Sequence, residues 1–300
     1  MRCRIAVLFF AAITAVAQSL QFAVIGDAGT GGRGQRAVCL QMERYAQTHP
    51  WEFVLALGDN IYENGEERHF GPKFKDIYRN LTNRGIRFHS TLGNHDRRNR
   101  GGMAQVADDA FGYIDRQDEY VLEAGTIING RRLARFICLN SGAWLDSLDG
   151  KPVTPSVDER KKRLIQWLTT SDRYHWNIVF QHHAIYSYVE PPLLFIRRGH
   201  GGSLELRAAL EPLIENRVDV VLAGHDHFYQ KIKPQKGIHH VISGAAGKLR
   251  KGALPAHPDV EKSVVTLHFL SVRITAESLV YDAVSDTGEV IDHREITKRR

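Results

Sequence analysis

The sequence has little cysteine and no long hydrophobic run. Its 300 residues include only 3 cysteines, too few for a disulfide-stabilised scaffold. No stretch reaches the roughly 18 consecutive apolar residues of a membrane-spanning helix, which argues against an integral membrane protein. Apolar residues make up 43% of the chain and charged residues 25%, a balance typical of globular rather than disordered proteins. We therefore expect a soluble globular enzyme or binding protein.

Histidine and positive charge are abundant by contrast. The chain has 15 histidines and a formal net charge of +6 at neutral pH. Positive charge weakly favours anionic partners. A nucleic-acid-binding role would rest on this charge alone, so no specific nucleic-acid binding is expected.

The N-terminal 17 residues have the features of a secretory signal peptide. Arg2 and Arg4 precede an apolar run over 5–17, which ends in the small residues Ala15-Val16-Ala17. A buried helix or an uncleaved anchor is the alternative, but the run is too short to span a bilayer. We expect cleavage after Ala17 and a secreted or periplasmic protein.

Two cysteines would remain after cleavage, Cys39 in a helical pattern and Cys138 in a strand pattern. They could pair in an oxidising compartment, or both could be small core residues. The different patterns around them favour the core interpretation.

Short apolar runs, each followed by a polar turn, organise the rest of the chain. Five of them read as buried strands: 22–25, 53–57, 86–92, 178–180 and 218–223. Helical patterns lie between several runs, over 34–47, after the capping box formed by Ser156 and Glu159, and from Ser203 to about Asn216. This alternation predicts an α/β fold with a substantially parallel sheet. Further strands are predicted at 239–243, 263–273, 277–284 and 289–296, within one domain spanning residues 18–300.

The turns after the five runs carry side chains of one chemical kind, oxygen and imidazole donors suited to metal ions. They are Asp27, Asp59, Tyr62, Asn94, His182, His225 and His227. Sites in open α/β sheets form beyond the carboxyl ends of the strands, where these residues would meet. Asn94 could instead be a simple turn residue, and His182 could be a core histidine. The ordered recurrence of such residues at strand ends favours a metal site.

These motifs resemble the metallophosphoesterase superfamily. The matching segments are Asp27, Gly58-Asp59-Asn60-Ile61-Tyr62, Gly93-Asn94-His95-Asp96, Val179-Phe180-Gln181-His182 and Gly224-His225-Asp226-His227. Tyr62, three residues after Asp59, narrows the resemblance to purple acid phosphatases of the small, tartrate-resistant type. The similarity runs from about Phe22 to Gly247. It implies a calcineurin-like, four-layer α-β-β-α sandwich with two central mixed sheets.

The resemblance also implies two metal ions. A first ion, Fe(III), would be held by Asp27, Asp59, Tyr62 and His227. A second ion, Fe(II), Zn(II) or Mn(II), would be held by Asp59, Asn94, His182 and His225. The donor types agree with this division, because a phenolate suits a hard ferric ion and neutral imidazoles suit a divalent one.

The activity implied is that of a secreted acid phosphatase, in which metal-activated hydroxide attacks the phosphorus of a small phosphomonoester. His95 and His200 would be catalytic, and with Asn94 they would bind the substrate. A phosphodiesterase or nucleotide-cleaving enzyme on the same site is the alternative, followed by a catalytically silent metal- or phosphate-binding module. His183 departs from the tyrosine usual in the family, and no role is assigned to it.

Overall fold

The computed structural model describes residues 18–189, 200–252 and 254–298. The predicted signal peptide, residues 1–17, lies outside this part of the chain. Among the described residues, no helix has the length and apolar character needed to cross a bilayer.

Thirteen strands form two mixed sheets in the described part of the chain. The six-stranded sheet has the order β13-β12-β11-β1-β2-β3, and the seven-stranded sheet has the order β10-β8-β9-β7-β6-β5-β4. The strands are β1 Leu20–Ile25, β2 Phe53–Ala56, β3 Arg87–Ser90, β4 Tyr120–Ile128, β5 Arg131–Leu139, β6 Tyr174–Gln181, β7 Val220–Ala223, β8 Tyr229–Gln235, β9 Ile238–Ser243, β10 Val260–Val264, β11 His268–Ile274, β12 Ser278–Ser285 and β13 Val290–Thr297. Parallel pairing joins β1 to β2 and β2 to β3 in the first sheet, and links β5, β6, β7 and β9 in the second.

Six α-helices accompany the sheets in the described residues. They are α1 Arg33–Tyr45, α2 Arg79–Asn83, α3 Met103–Ala107, α4 Ser141–Leu148, α5 Val157–Leu168 and α6 Leu204–Ile214. The predicted capping box is present, because the Ser156 hydroxyl accepts from the Glu159 amide while the Glu159 carboxylate accepts from the Ser156 amide. Ser203 caps α6, which ends slightly earlier than the pattern predicts.

The two sheets pack face to face through large apolar side chains. Phe22 of β1 and Phe53 of β2 both meet Phe136 of β5 edge to face, with ring centroids 5.1 and 5.4 Å apart. Leu164 of α5 and Leu206 of α6 belong to a second buried cluster on the outer face of the seven-stranded sheet. Helix α1 contacts the six-stranded sheet through β11. The four-layer sandwich expected from the sequence is therefore confirmed.

One strand prediction is wrong in an informative way. The apolar stretch over 263–273 forms two strands, β10 and β11, which lie in different sheets. The chain crosses from one sheet to the other over 265–267. The sequence gives no sign of this crossing, because strands of both sheets bury apolar residues in the same core.

The cysteines support the core interpretation made from the sequence. Cys39 and Cys138 are both buried and unpaired. The Cys39 thiol contacts the Ile77 carbonyl at 3.2 Å, and burial raises its pKa to about 12. Both residues pack as small apolar groups rather than forming a cross-link.

Candidate metal centre

All seven predicted ligands lie beyond strand ends on the same rim of the sandwich. Asp27, Asp59, Tyr62 and Asn94 follow strands of the six-stranded sheet, whereas His182, His225 and His227 follow β6 and β7 of the other sheet. The turns are joined directly, since the Asp27 amide donates to the Gly58 carbonyl and the Gly29 amide to the Asp59 carbonyl, both at 3.0 Å. Each predicted ion site therefore draws ligands from both sheets.

The first-ion group consists of Asp27, Asp59, Tyr62 and His227. The Tyr62 Oη lies 3.1 Å from Asp27 Oδ1 and 3.2 Å from His227 Nε2. His227 Nε2 is 3.4 Å from the same Asp27 oxygen. The other Asp27 oxygen accepts a hydrogen bond from the His225 amide at 2.8 Å, which fixes the carboxylate with Oδ1 toward the group.

The second-ion group consists of Asp59, Asn94, His182 and His225. His182 Nε2 lies 3.0 Å from Asn94 Oδ1, 3.1 Å from His225 Nδ1 and 3.6 Å from Asp59 Oδ1. The other nitrogen of His182, Nδ1, donates to the Leu57 carbonyl at 2.8 Å. Because a carbonyl only accepts, this bond leaves the lone pair on Nε2, the nitrogen that faces the group.

The electrostatics of the site depend on carboxylates buried among imidazoles. Burial favours a raised pKa for Asp27, but the charges and hydrogen bonds of His182 and His227 outweigh it and lower this pKa. Burial favours a lowered pKa for His182, but the charges of Asp59 and Asp27 outweigh it and raise this pKa. Burial and the two aspartates raise the pKa of Tyr62, so a phenolate here needs a compensating cation.

The backbone is strained at three of the predicted ligands. Asp27, Asp59 and His225 have positive φ angles of 55°, 52° and 70°, a region that non-glycine residues rarely adopt. Glycines near these residues allow the backbone to lie close to the ligand carboxylates. A Cβ at Gly93 would lie 2.1 Å from Asp59 Oδ1, and one at Gly224 would lie 2.6 Å from Asp27 Oδ2.

The two predicted catalytic histidines lie at this rim. The His95 amide donates to Asp59 Oδ1 at 2.9 Å, and its Nδ1 donates to the Glu63 carbonyl at 2.6 Å. His95 also contacts the Tyr62 ring edge to face, at 4.5 Å between centroids. The exposed ring of His200 lies over that of His225, at 4.1 Å between centroids. The structure thus brings His95 to the first-ion group and His200 to the second.

Asp96 holds two ligand turns in place, and Asp226 connects the turn after β7 to His200, a contact that the sequence does not reveal. The buried Asp96 carboxylate accepts from three backbone amides, those of Asn60, Ile61 and Gly93, at 2.8–3.1 Å. Burial, together with the charge of Asp59, raises the pKa of Asp96 to about 7. Asp226 accepts from the His200 amide at 2.9 Å.

His183 is the other residue that sequence reasoning left without a role. Its Nδ1 lies 2.9 Å from the Ser141 Oγ, and its ring is 4.5 Å from that of His225. One nitrogen each of His182, His183 and His225 lie within 4.8 Å of one another. In the sequence, the only sign of this position is that His183 directly follows the predicted ligand His182.

The donor atoms fit two metal ions. Neighbouring donors in each group are about 3–3.6 Å apart, and ligands at metal–ligand distances of about 2.0–2.3 Å have comparable separations around one ion. Asp59 belongs to both groups and lies between them. The mixture of carboxylate, phenol, amide and imidazole donors, without thiolate, suits hard or borderline ions.

A family model described as calcineurin-like phosphoesterase matches residues 20–229. The chain belongs to the calcineurin-like phosphoesterase family. Among similar members, purple acid phosphatase 4 of Arabidopsis thaliana is 28% identical over 302 residues, covering 91% of this chain and 85% of its own. Human tartrate-resistant acid phosphatase type 5 is 24% identical over 316 residues, covering 94% of this chain and 92% of its own.

Two solved structures superpose well on the chain. A purple acid phosphatase from yellow lupin seeds has a TM-score of 0.72 and 15% identity, covering 94% of this chain and 54% of that chain. GAP50, described as the anchor in the inner membrane complex of Plasmodium, has a TM-score of 0.78 and 19% identity, covering 94% of this chain and 90% of that chain. At these identities the likeness establishes the fold alone.

Family membership and the curated relatives support a metal-dependent phosphoester hydrolase with a dinuclear metal site. The resemblance to purple acid phosphatases inferred from the motifs is therefore confirmed. The individual ligand assignments and the catalytic roles stay predictions.

Proposed function

We propose that the protein is a secreted acid phosphatase that hydrolyses small phosphomonoesters at a dinuclear Fe(III)–M(II) centre. The observation that carries the proposal is the position of the Tyr62 phenol, which lies 3.1 Å from Asp27 Oδ1 and 3.2 Å from His227 Nε2. A buried phenol between a carboxylate and an imidazole provides the hard anionic donor that ferric ions favour. Fe(II), Zn(II) or Mn(II) would be the second ion.

Asp59 would belong to both donor groups and would contact both ions. Asp27, Asp59, Tyr62 and His227 would hold the first ion, and Asp59, Asn94, His182 and His225 the second. Ions in such a pair supply Lewis acidity toward phosphoryl oxygens and lower the pKa of a coordinated water. Two hydrogen bonds of the chain itself, from His182 Nδ1 to the Leu57 carbonyl and from the His225 amide to Asp27 Oδ2, orient the donors before any ion binds.

His95 is the proposed general acid for the leaving group. Its Nδ1 proton is held by the Glu63 carbonyl, so Nε2 is the atom left to carry a proton toward the substrate. The Nε2 atom lies 4.0 Å from Asp59 Oδ2, at the side of the shared ligand. His200, over His225, would bind the substrate from the second-ion side, and Asn94 would contribute its amide nitrogen.

The proposal includes the N-terminal segment. Residues 1–17 would be a cleaved signal peptide directing the protein to a secreted or periplasmic location, and residues 18–300 would form one metallophosphoesterase domain. The charged start, apolar centre and small residues before position 18 support this interpretation.

The colour of the purified protein tests the ferric assignment. A Tyr62 phenolate bound to Fe(III) gives a visible charge-transfer band, which Tyr62→Phe should abolish while iron is retained. Tyr78→Phe is the matched control and should keep the band, because this buried tyrosine directly precedes α2 and is not a predicted ligand. A colourless wild-type protein loaded with two divalent ions would contradict the ferric centre but leave the family assignment intact.

Turnover of a monoester and a diester on the same preparation tests the reaction. Faster hydrolysis of the monoester is expected, and a diester preference would favour the phosphodiesterase alternative. Metal-loaded protein that binds phosphate but hydrolyses neither ester would identify a silent module.

A further inference from the structure

The loop after β9 lies against the first-ion group and carries a lysine without an assigned role. A Cβ at Gly244 would lie 2.8 Å from Asp27 Oδ2, so the loop begins in close contact with one ligand. The Arg250 amide donates to the His227 carbonyl at 3.1 Å, which ties the other end to a second ligand. Lys248 lies between these two anchor points, so the backbone holds it beside the predicted site.

Lys248 contacts the face of the Tyr62 ring. Its Nζ lies 4.1 Å from the ring centroid, well within the range of a cation–π contact. The lysine is half-buried, and no carboxylate of the described residues forms an ion pair with it. An ammonium group without a counter-ion is stabilised when an anion binds next to it.

The position of His95 indicates which anion this would be. His95 and Lys248 both contact the Tyr62 ring, so the ammonium group lies beside the same ligand as the proposed general acid. We therefore expect a phosphate group bound at the first-ion group to lie near Tyr62, within reach of the Lys248 side chain. A monoester phosphate carries up to two negative charges and a diester only one, so a cation here favours the monoester.

We propose that Lys248 binds the phosphate group of the substrate and is a specificity-determining residue for dianionic phosphomonoesters over monoanionic diesters. The inference rests on the proposed function for the identity of the substrate. Its binding component applies to any phosphate anion at the metal-loaded site.

The test compares Lys248→Met with Lys248→Arg in the full, metal-loaded protein. Inorganic phosphate binding is measured by titration calorimetry at low salt. Lys248→Met should weaken the binding of phosphate about tenfold, since it removes the charge but keeps an unbranched side chain of similar length. Lys248→Arg should restore most of the affinity. In turnover assays the Met variant should raise KM with little change in kcat, and lower the monoester-to-diester ratio of kcat/KM about tenfold.

Lys251→Met is the matched control, because it removes an equal charge from an exposed position of the same loop. It should bind phosphate like the wild type. Wild-type affinity in Lys248→Met, equal losses in the Lys248 and Lys251 variants, or a wild type that does not bind phosphate would each overturn the proposal. If no variant hydrolyses a phosphoester while phosphate binding still depends on Lys248, the proposed function fails and the binding role of Lys248 stands.

Discussion

At the scale of single residues, the site depends on a few ligands with unusual backbone angles and on glycines that leave space for their carboxylates. Asp27, Asp59 and His225 are held at positive φ, and Gly93 and Gly224 leave room for the carboxylates of two of them. Such strain persists only where surrounding contacts over-determine the conformation. The predicted ligands are therefore oriented by the folded chain itself, with or without ions.

Gly93→Ala should disrupt both predicted ion sites, because the new Cβ would meet Asp59 Oδ1 at 2.1 Å and the Asp59 amide nitrogen at 2.2 Å. We expect loss of bound metal, measured by elemental analysis, and a free energy of unfolding lowered by about 1–3 kcal/mol. Gly71→Ala is the control, since its Cβ would meet nothing closer than 3.6 Å. A Gly93→Ala protein that retains two ions would show that Asp59 does not bridge them.

The sequence predicts which residue types meet at the site but not how they are held. Asp27, Asp59 and Asn94 are recognisable because each follows an apolar run, and strand ends on one rim bring them together. The contribution of Asp226 depends on an amide 26 residues away, that of His200. The position of Lys248 over Tyr62 depends on a loop path that no local pattern determines.

At the scale of elements, sequence signals are reliable where the stabilising contacts are local. The capping box at the start of α5 is visible in the sequence because both of its hydrogen bonds join residues three apart. The β4–β5 hairpin was not predicted, and the irregular register between Ala124 and Ile127 is one reason, since it interrupts simple alternation. The missed crossing between β10 and β11 depends on long-range pairing.

Ser156→Ala should lower the free energy of unfolding by about 1 kcal/mol, because the Glu159 amide at the start of α5 loses its acceptor. Chemical denaturation at neutral pH measures the change. Glu159→Gln keeps an acceptor for the Ser156 amide and serves as the control, with stability close to that of the wild type. An unchanged midpoint in Ser156→Ala would mean that water replaces the cap at no cost.

At the scale of the whole molecule, two buried neutral histidines link stability to pH. His240 lies in the seven-stranded sheet and His268 in the six-stranded sheet. Burial lowers the pKa of His240 to about 3 and that of His268 to about 4. His268 is satisfied as a neutral ring, because Nδ1 donates to the Thr266 carbonyl and Nε2 accepts from the Ser243 hydroxyl, both at 3.0 Å.

Stability should therefore fall as the pH drops from about 6.5 toward 4, since the unfolded chain takes up protons that the folded protein excludes. The contribution of His268 is about 3 kcal/mol, from its pKa difference. Denaturation at pH 7 and pH 5 measures this slope, which His268→Gln should reduce. Equal slopes in wild type and His268→Gln would refute the linkage.

An acid phosphatase with this feature would work in a pH range where its own stability declines.

The position of β1 has a consequence for how the protein is made. This first strand lies inside its sheet, between β2 and β11, and Leu20 pairs with Ile274. A ribosome must therefore have synthesised the chain as far as β11 before β1 can pair on both of its edges. Until then β1 has an unpaired edge, and Asp27, at its end, has an incomplete scaffold. Metal ions encountering the nascent chain would thus find the predicted centre formed only after β11 has been synthesised.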